Sequence, residues 1–92
     1  MDLSRRLDAL LELAEHLGID IRAETMGGAG GGLCRLKGRR VLFVDTAADL
    51  ATRYDRTLAA MAGLQETDGL YLLPEVRQDI EHQRAAAGRR VD

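Results

Sequence analysis

Five of the six residues from Gly27 to Gly32 are glycine, and no other feature limits the fold so strongly. Glycine admits positive φ and loses more conformational entropy on ordering than any other residue, so neither a helix nor a buried strand passes through such a run. The chain must turn here, and the segments on either side must be separate elements. Before the run, Ile19, Ile21 and Ala23 alternate with Asp20, Arg22 and Glu24, the pattern of a half-buried strand. After it, Leu33-Cys34-Arg35-Leu36-Lys37 resumes in strand style and Lys37-Gly38-Arg39-Arg40 reads as a tight turn. That turn leads into Val41-Leu42-Phe43-Val44, the most apolar stretch and the expected central strand. With Gly38 and Arg39 as the central pair, the turn is a type II′ hairpin. It sets Leu36 opposite Val41 and Cys34 opposite Phe43 on one apolar face. The glycine run is expected to be a flexible or bulged connector.

Helical spacing governs the rest. Leu3, Leu7, Leu10, Leu11, Ala14 and Leu17 form a stripe, opened by Asp2 as N-cap and stopped by Gly18. Leu13 widens the stripe, which reads as a well-buried helix or, alternatively, as one whose margin also meets a second subunit. Thr46 and Asp49 resemble a capping box for a second helix carrying Ala47, Leu50, Ala51, Tyr54, Leu58, Met61 and Ala62, which Gly63 ends. After a polar turn over 65–69, Leu70–Leu73 reads as a short strand or extended segment. Pro74 and Glu75 open a third helix to about Ala87; with only Val76 and Ile80 strongly apolar, it is expected at the surface. Gly88–Asp92 is expected to fray. The fold class is α+β: one domain over 1–92, two layers, a three- or four-stranded sheet on two main helices, and a peripheral C-terminal helix. The expected core is Leu3, Leu7, Leu10, Ala14, Leu17, Ile19, Ile21, Cys34, Leu36, Val41, Phe43, Leu50, Tyr54, Leu58 and Met61.

Charge narrows the function. The net charge of −2 lacks the strong basic excess typical of nucleic-acid binders, so nucleic acid is not the partner class expected. The distribution is lopsided. Arg22, Arg35, Lys37, Arg39 and Arg40 face only Asp20 and Glu24 between Gly18 and Val44, whereas Glu66, Asp68, Glu75, Asp79 and Glu81 face only Arg77 between Glu66 and His82. One cysteine makes no internal disulfide, and Cys34 is expected to be a buried structural thiol. The N-terminal stretch lacks the uninterrupted apolar segment of a secretory signal and no run is long enough to span a bilayer, which places the expected location in the cytoplasm, away from the membrane.

Several catalytic motifs are approached and missed. Gly27–Cys34 carries both glycines of a phosphate loop, but Leu33 stands in place of its lysine and Cys34 in place of its magnesium-binding hydroxyl. A dinucleotide fingerprint fits at Gly28 and Gly30 and fails at Leu33. His16 and His82 lie far apart in sequence and have no cysteine near them, so no zinc site is expected. No catalytic, metal or cofactor site is expected. The candidate ligand residues are Gly28, Gly30 and Gly31 of the loop with Arg35, Lys37, Arg39 and Arg40 of the basic hairpin.

The order helix, strand, loop, hairpin, helix over residues 1–64 resembles the minimal zincin core of the phage-repressor-cleaving, ImmA/IrrE-like metallopeptidases. Laid on that family's T-L-A-H-E-L-G-H pattern, Thr57–Leu64 places Ala60 and Leu64 where the zinc histidines stand and Met61 where the glutamate stands. The resemblance implies a zincin-like shape without the catalysis. The block Leu33-Cys34-Arg35-Leu36-Lys37-Gly38 followed by Arg40-Val41-Leu42-Phe43 and Asp45 is also similar to one in short uncharacterised bacterial proteins, a likeness that lends no activity. The function expected is a non-catalytic cytosolic interaction protein that pairs with itself as a homodimer, the basic hairpin meeting the acidic third helix of the other copy. The alternative is a module that binds a small anionic ligand through the glycine loop and hairpin.

Overall fold

The computed structural model describes residues 2–88. Its elements are α1 (Leu3–His16), β1 (Asp20–Glu24), β2 (Gly32–Leu36), β3 (Arg39–Asp45), α2 (Leu50–Ala62), a 3-10 turn over Gln65–Gly69, and α3 (Pro74–Gly88). The frayed tail expected from Gly88 onward falls, past Gly88, outside the described residues. The architecture is α+β, with a three-stranded mixed sheet in the order β1-β3-β2. The segment 70–73 is not a strand. β1 runs parallel to β3, Ile21 lying beside Leu42 and Ala23 beside Val44.

Local chemistry fixes the helix ends. Asp2 caps α1, its Oδ1 accepting from the Arg5 N–H at 2.8 Å. At the other end the Gly18 and Ile19 N–H groups return to the Glu15 and Ala14 carbonyls at 3.0 Å. This is a Schellman closure with Gly18 at φ 78. The N-cap of α2 is Asp49, whose Oδ1 accepts from the Thr52 N–H at 2.8 Å; the expected start at Thr46 is three residues early because Asp45, Thr46 and Ala47 are used in a turn of their own.

The hairpin turns one residue earlier than expected. Lys37 and Gly38 are its central pair with φ of 50 and 78, the signature of a type I′ turn, whose twist matches that of the strands. Cys34 therefore lies opposite Val41 and Leu33 opposite Leu42. The face turned to the helices is also the reverse of that expected. Leu42 and Val44 join the core with Ile19, while Cys34 is exposed, Leu36 is 43% exposed and Phe43 is half-buried. Every residue from Val41 to Val44 is apolar, so alternation within β3 decides nothing. The parallel register with β1 decides it, because Ile21 and Leu42 must share a face. Val41 is still buried, on the uncovered face.

The helices lie on one side of the sheet, α1 against β1 and α2 against β2 and β3. The core joins Leu7, Leu10 and Ala14 of α1 to Leu42 and Val44 and to Tyr54, Leu58 and Met61 of α2. The third helix is less peripheral than its composition suggests. Val76 and Ile80 are each 2% exposed within that core, alongside Leu72. Two apolar residues one turn apart suffice to seat a helix against α2.

Candidate functional site

The glycine loop closes on an internal carboxylate. Asp45, the last residue of β3, is 2% exposed. Its Oδ1 accepts from the Met26 and Ala47 N–H groups at 2.9 Å each. Its Oδ2 accepts from Gly28 at 2.7 Å and Gly30 at 2.9 Å. A run with positive φ at Gly27, Gly28, Gly31 and Gly32 turns the alternate N–H groups of Met26, Gly28 and Gly30 toward one point, akin to the backbone concavities that elsewhere cradle phosphate. Here the anion in the cradle is the protein's own. Burial works against the charge on Asp45, and the N–H groups of Gly30, Met26, Ala47 and Gly28 outweigh it, holding the carboxyl below its ordinary range.

The loop is therefore shaped rather than slack. Gly31, at φ 113, lies where a Cβ would stand 3.3 Å from the Phe43 carbonyl oxygen and 3.5 Å from Arg56 Cβ. Positive φ and close approach both demand glycine there. Gly30 is held by proximity alone: an added Cβ would fall 2.7 Å from Met26 Cβ.

The other candidate residues lie elsewhere. Gly28, Gly30 and Gly31 sit beside Asp45 at one end of β3, and the Lys37-Gly38 turn lies at the other, roughly 20 Å away at the rise of an extended strand. The two halves of the expected anion site do not meet. Arg39 bonds Asp20 at 2.9 Å. Arg40 forms a two-pronged pair with Glu66, Nη2 to Oε2 at 3.2 Å, and Nη2 also donates to the Leu17 carbonyl at 2.9 Å. Hydrogen bonding to Arg40 holds the Glu66 carboxyl below its ordinary range, and Glu66 in turn raises Arg40. Arg35, opposite Arg40, and Lys37 are exposed.

Arg40 with Glu66 joins the basic stretch to the acidic one within one copy. Arg84 pairs with Asp68 at 2.6 Å and donates to the Ala62 and Leu64 carbonyls at the end of α2. Arg6 reaches Asp79 at 3.0 Å, and the Tyr54 hydroxyl donates to the same carboxylate. Burial first, and then Asp79, push the Tyr54 hydroxyl well above its usual range.

A concavity of about 520 Å³ runs between α1 and the segment 70–73, lined by Ala9, Glu12, Leu13, His16, Leu73 and Val76, with Tyr71 at its lip 86% exposed. His82 lines a separate hollow beside Arg6, Tyr54 and Asp79. Among the described residues no three metal-ligating side chains cluster. The stretch 57–64 that resembles a zincin motif serves the core, with Thr57, Leu58, Met61 and Ala62 buried. Among the described residues no helix is long and apolar enough to cross a membrane.

Sequence reasoning misses the role of Asp45. The available signal was the accounting of donors: a run of glycine N–H groups without side chains needs an acceptor, and an aspartate ends the neighbouring strand. Comparison with models of known families, with curated proteins and with solved structures finds no match.

Proposed function

We propose that this chain is a non-catalytic interaction protein of the cytoplasm that associates with itself. The observation that carries the reading is the sheet, covered by helices on one face and ending in β1 and β2 as edge strands. Its uncovered face presents Cys34 and Leu36 beside half-buried Phe43. Strand edges offer backbone donors and acceptors to another strand. The same reading is supported by the way the polar groups that suggest chemistry are engaged: the loop amides hold Asp45, and Arg40 and Arg84 tie distant segments together. Arg40 of the hairpin meets Glu66 of the 3-10 turn inside one copy, so that pair is not counted toward contact between copies.

Sedimentation over a micromolar concentration range tests the reading. A particle of twice the 10.1 kDa chain mass is expected. A particle of single-chain mass throughout overturns it. Phosphate or a nucleotide raising the melting temperature would instead favour the anion-binding alternative.

A further inference from the structure

We infer that the self-association surface is the outer edge of β1, which takes the β1 of a second copy in antiparallel register about Ala23. This rests on the self-associating reading above and supplies its geometry. The edge is open: β1 ends the sheet with β3 as its one neighbour, and Arg22, Ala23 and Glu24 are exposed. Neither proline nor a bulge blunts the strand, two devices by which edges are usually closed to a partner.

The charges choose the partner and the register. Asp20 of β1 is held by Arg39 at 2.9 Å. Among the described residues the side chains of Arg22 and Glu24 have neither an ion pair nor a hydrogen bond. They are two apart and so share one face of the sheet. A two-fold axis joining two antiparallel copies of one strand runs perpendicular to the sheet and pairs residues at equal distances on either side of it. With the axis at Ala23, Arg22 of each copy stands directly opposite Glu24 of the other, giving two cross-strand pairs of opposite sign. With the axis at Arg22, Arg22 faces itself and Asp20 faces Glu24. With the axis at Glu24, Glu24 faces itself. Like charges directly opposite destabilise a sheet. With the axis at Ile21, Arg22 would have to compete with Arg39 for Asp20. Ala23 is the position that satisfies both unpaired charges, and its small side chain leaves room at the axis. The result is a continuous sheet in the order β2-β3-β1-β1-β3-β2, with the helices of both copies on one side.

The test is a charge exchange read by sedimentation, with circular dichroism showing that each variant is folded. R22E places two acids opposite each other across the axis, and E24R places two bases there. Each is expected to sediment at single-chain mass where the wild type is dimeric. Mixed in equal amounts, the R22E copy brings an acid at both positions and the E24R copy a base at both, so each cross-strand pair between unlike copies is again of opposite sign. The mixture is expected to recover the dimer, as is the double variant R22E/E24R alone. A dimeric wild type whose single variants also dimerise, or whose mixture stays monomeric, overturns the β1 edge and leaves self-association standing on another surface. A wild type of single-chain mass at every concentration overturns both, and leaves the edge to an unrelated strand.

Discussion

The two ends of β3 carry the two segments that look most like binding sites in the sequence, and they are built in opposite ways. At the Asp45 end, a run without side chains is ordered by one buried carboxylate that accepts four backbone N–H groups. At the Lys37-Gly38 end, a run of long basic side chains surrounds a two-residue turn that needs nothing but positive φ. Flexibility in the sequence has become the more constrained structure, while the charged segment remains the more tolerant one. A glycine run supplies donors, and donors that find an internal acceptor become scaffold. Basic residues supply reach, and here Arg40 uses it to bind Glu66 and the end of α1.

The largest expected effect is at Asp45. Asp45→Asn keeps the shape but puts an amide nitrogen, a donor, where an oxygen now accepts. If it stands at the Oδ2 position, it confronts the Gly28 and Gly30 N–H groups. Melting temperature is expected to fall by on the order of 10 °C, since several charge-assisted hydrogen bonds are lost together in a small domain. A fall of a degree or two would put the loop on a par with the hairpin turn and break the comparison. The sign with pH follows from the same bonds. The folded carboxyl is depressed, so its contribution is full above the unfolded-state value of about 3.9 and disappears as pH falls through the lower folded value. In acid titrations followed by circular dichroism, the wild type should lose more stability below about pH 4 than Asp45→Asn does.

Next in size is Gly31→Ala. Left-handed backbone strain alone costs an alanine about 1–2 kcal/mol, and the Phe43 carbonyl at 3.3 Å from the added Cβ works in the same direction. Urea titration measures it. Arg40→Met should cost about 1 kcal/mol, from a partly exposed ion pair and one carbonyl bond, and part of that cost should vanish in high salt. The smallest effect has the opposite sign. Lys37→Asn relieves a lysine at φ 50 and should stabilise by about 0.5 kcal/mol, because asparagine tolerates that conformation.

Much of the fold was legible for reasons these contrasts make plain. Asp2, Gly18 and Pro74 mark helix ends through a side-chain bond or a φ that the residue itself dictates, so sequence suffices. The strand segments and the central place of β3 also follow from local alternation and apolarity. What was not legible depends on non-local register. Leu42 and Val44, rather than Val41 and Phe43, face the helices because Ile21 lies beside Leu42, and nothing within 41–44 records that. Cys34 is exposed for the same reason. The candidate site suffered most. The pairing of Gly28 and Gly30 with Asp45 spans 17 and 15 residues, and that of Arg40 with Glu66 spans 26, so both charge and donor balances close only in three dimensions.

Amide hydrogen exchange at Met26, Gly28, Gly30 and Ala47, read residue by residue at neutral pH, tests most directly whether the loop belongs to Asp45. All four amides are expected to be protected together in the wild type. Protection at Met26, Gly28 and Gly30 should collapse in Asp45→Asn while the core amides of β3 stay slow. Exchange of the wild-type loop amides at the rate of an unstructured glycine segment would contradict it.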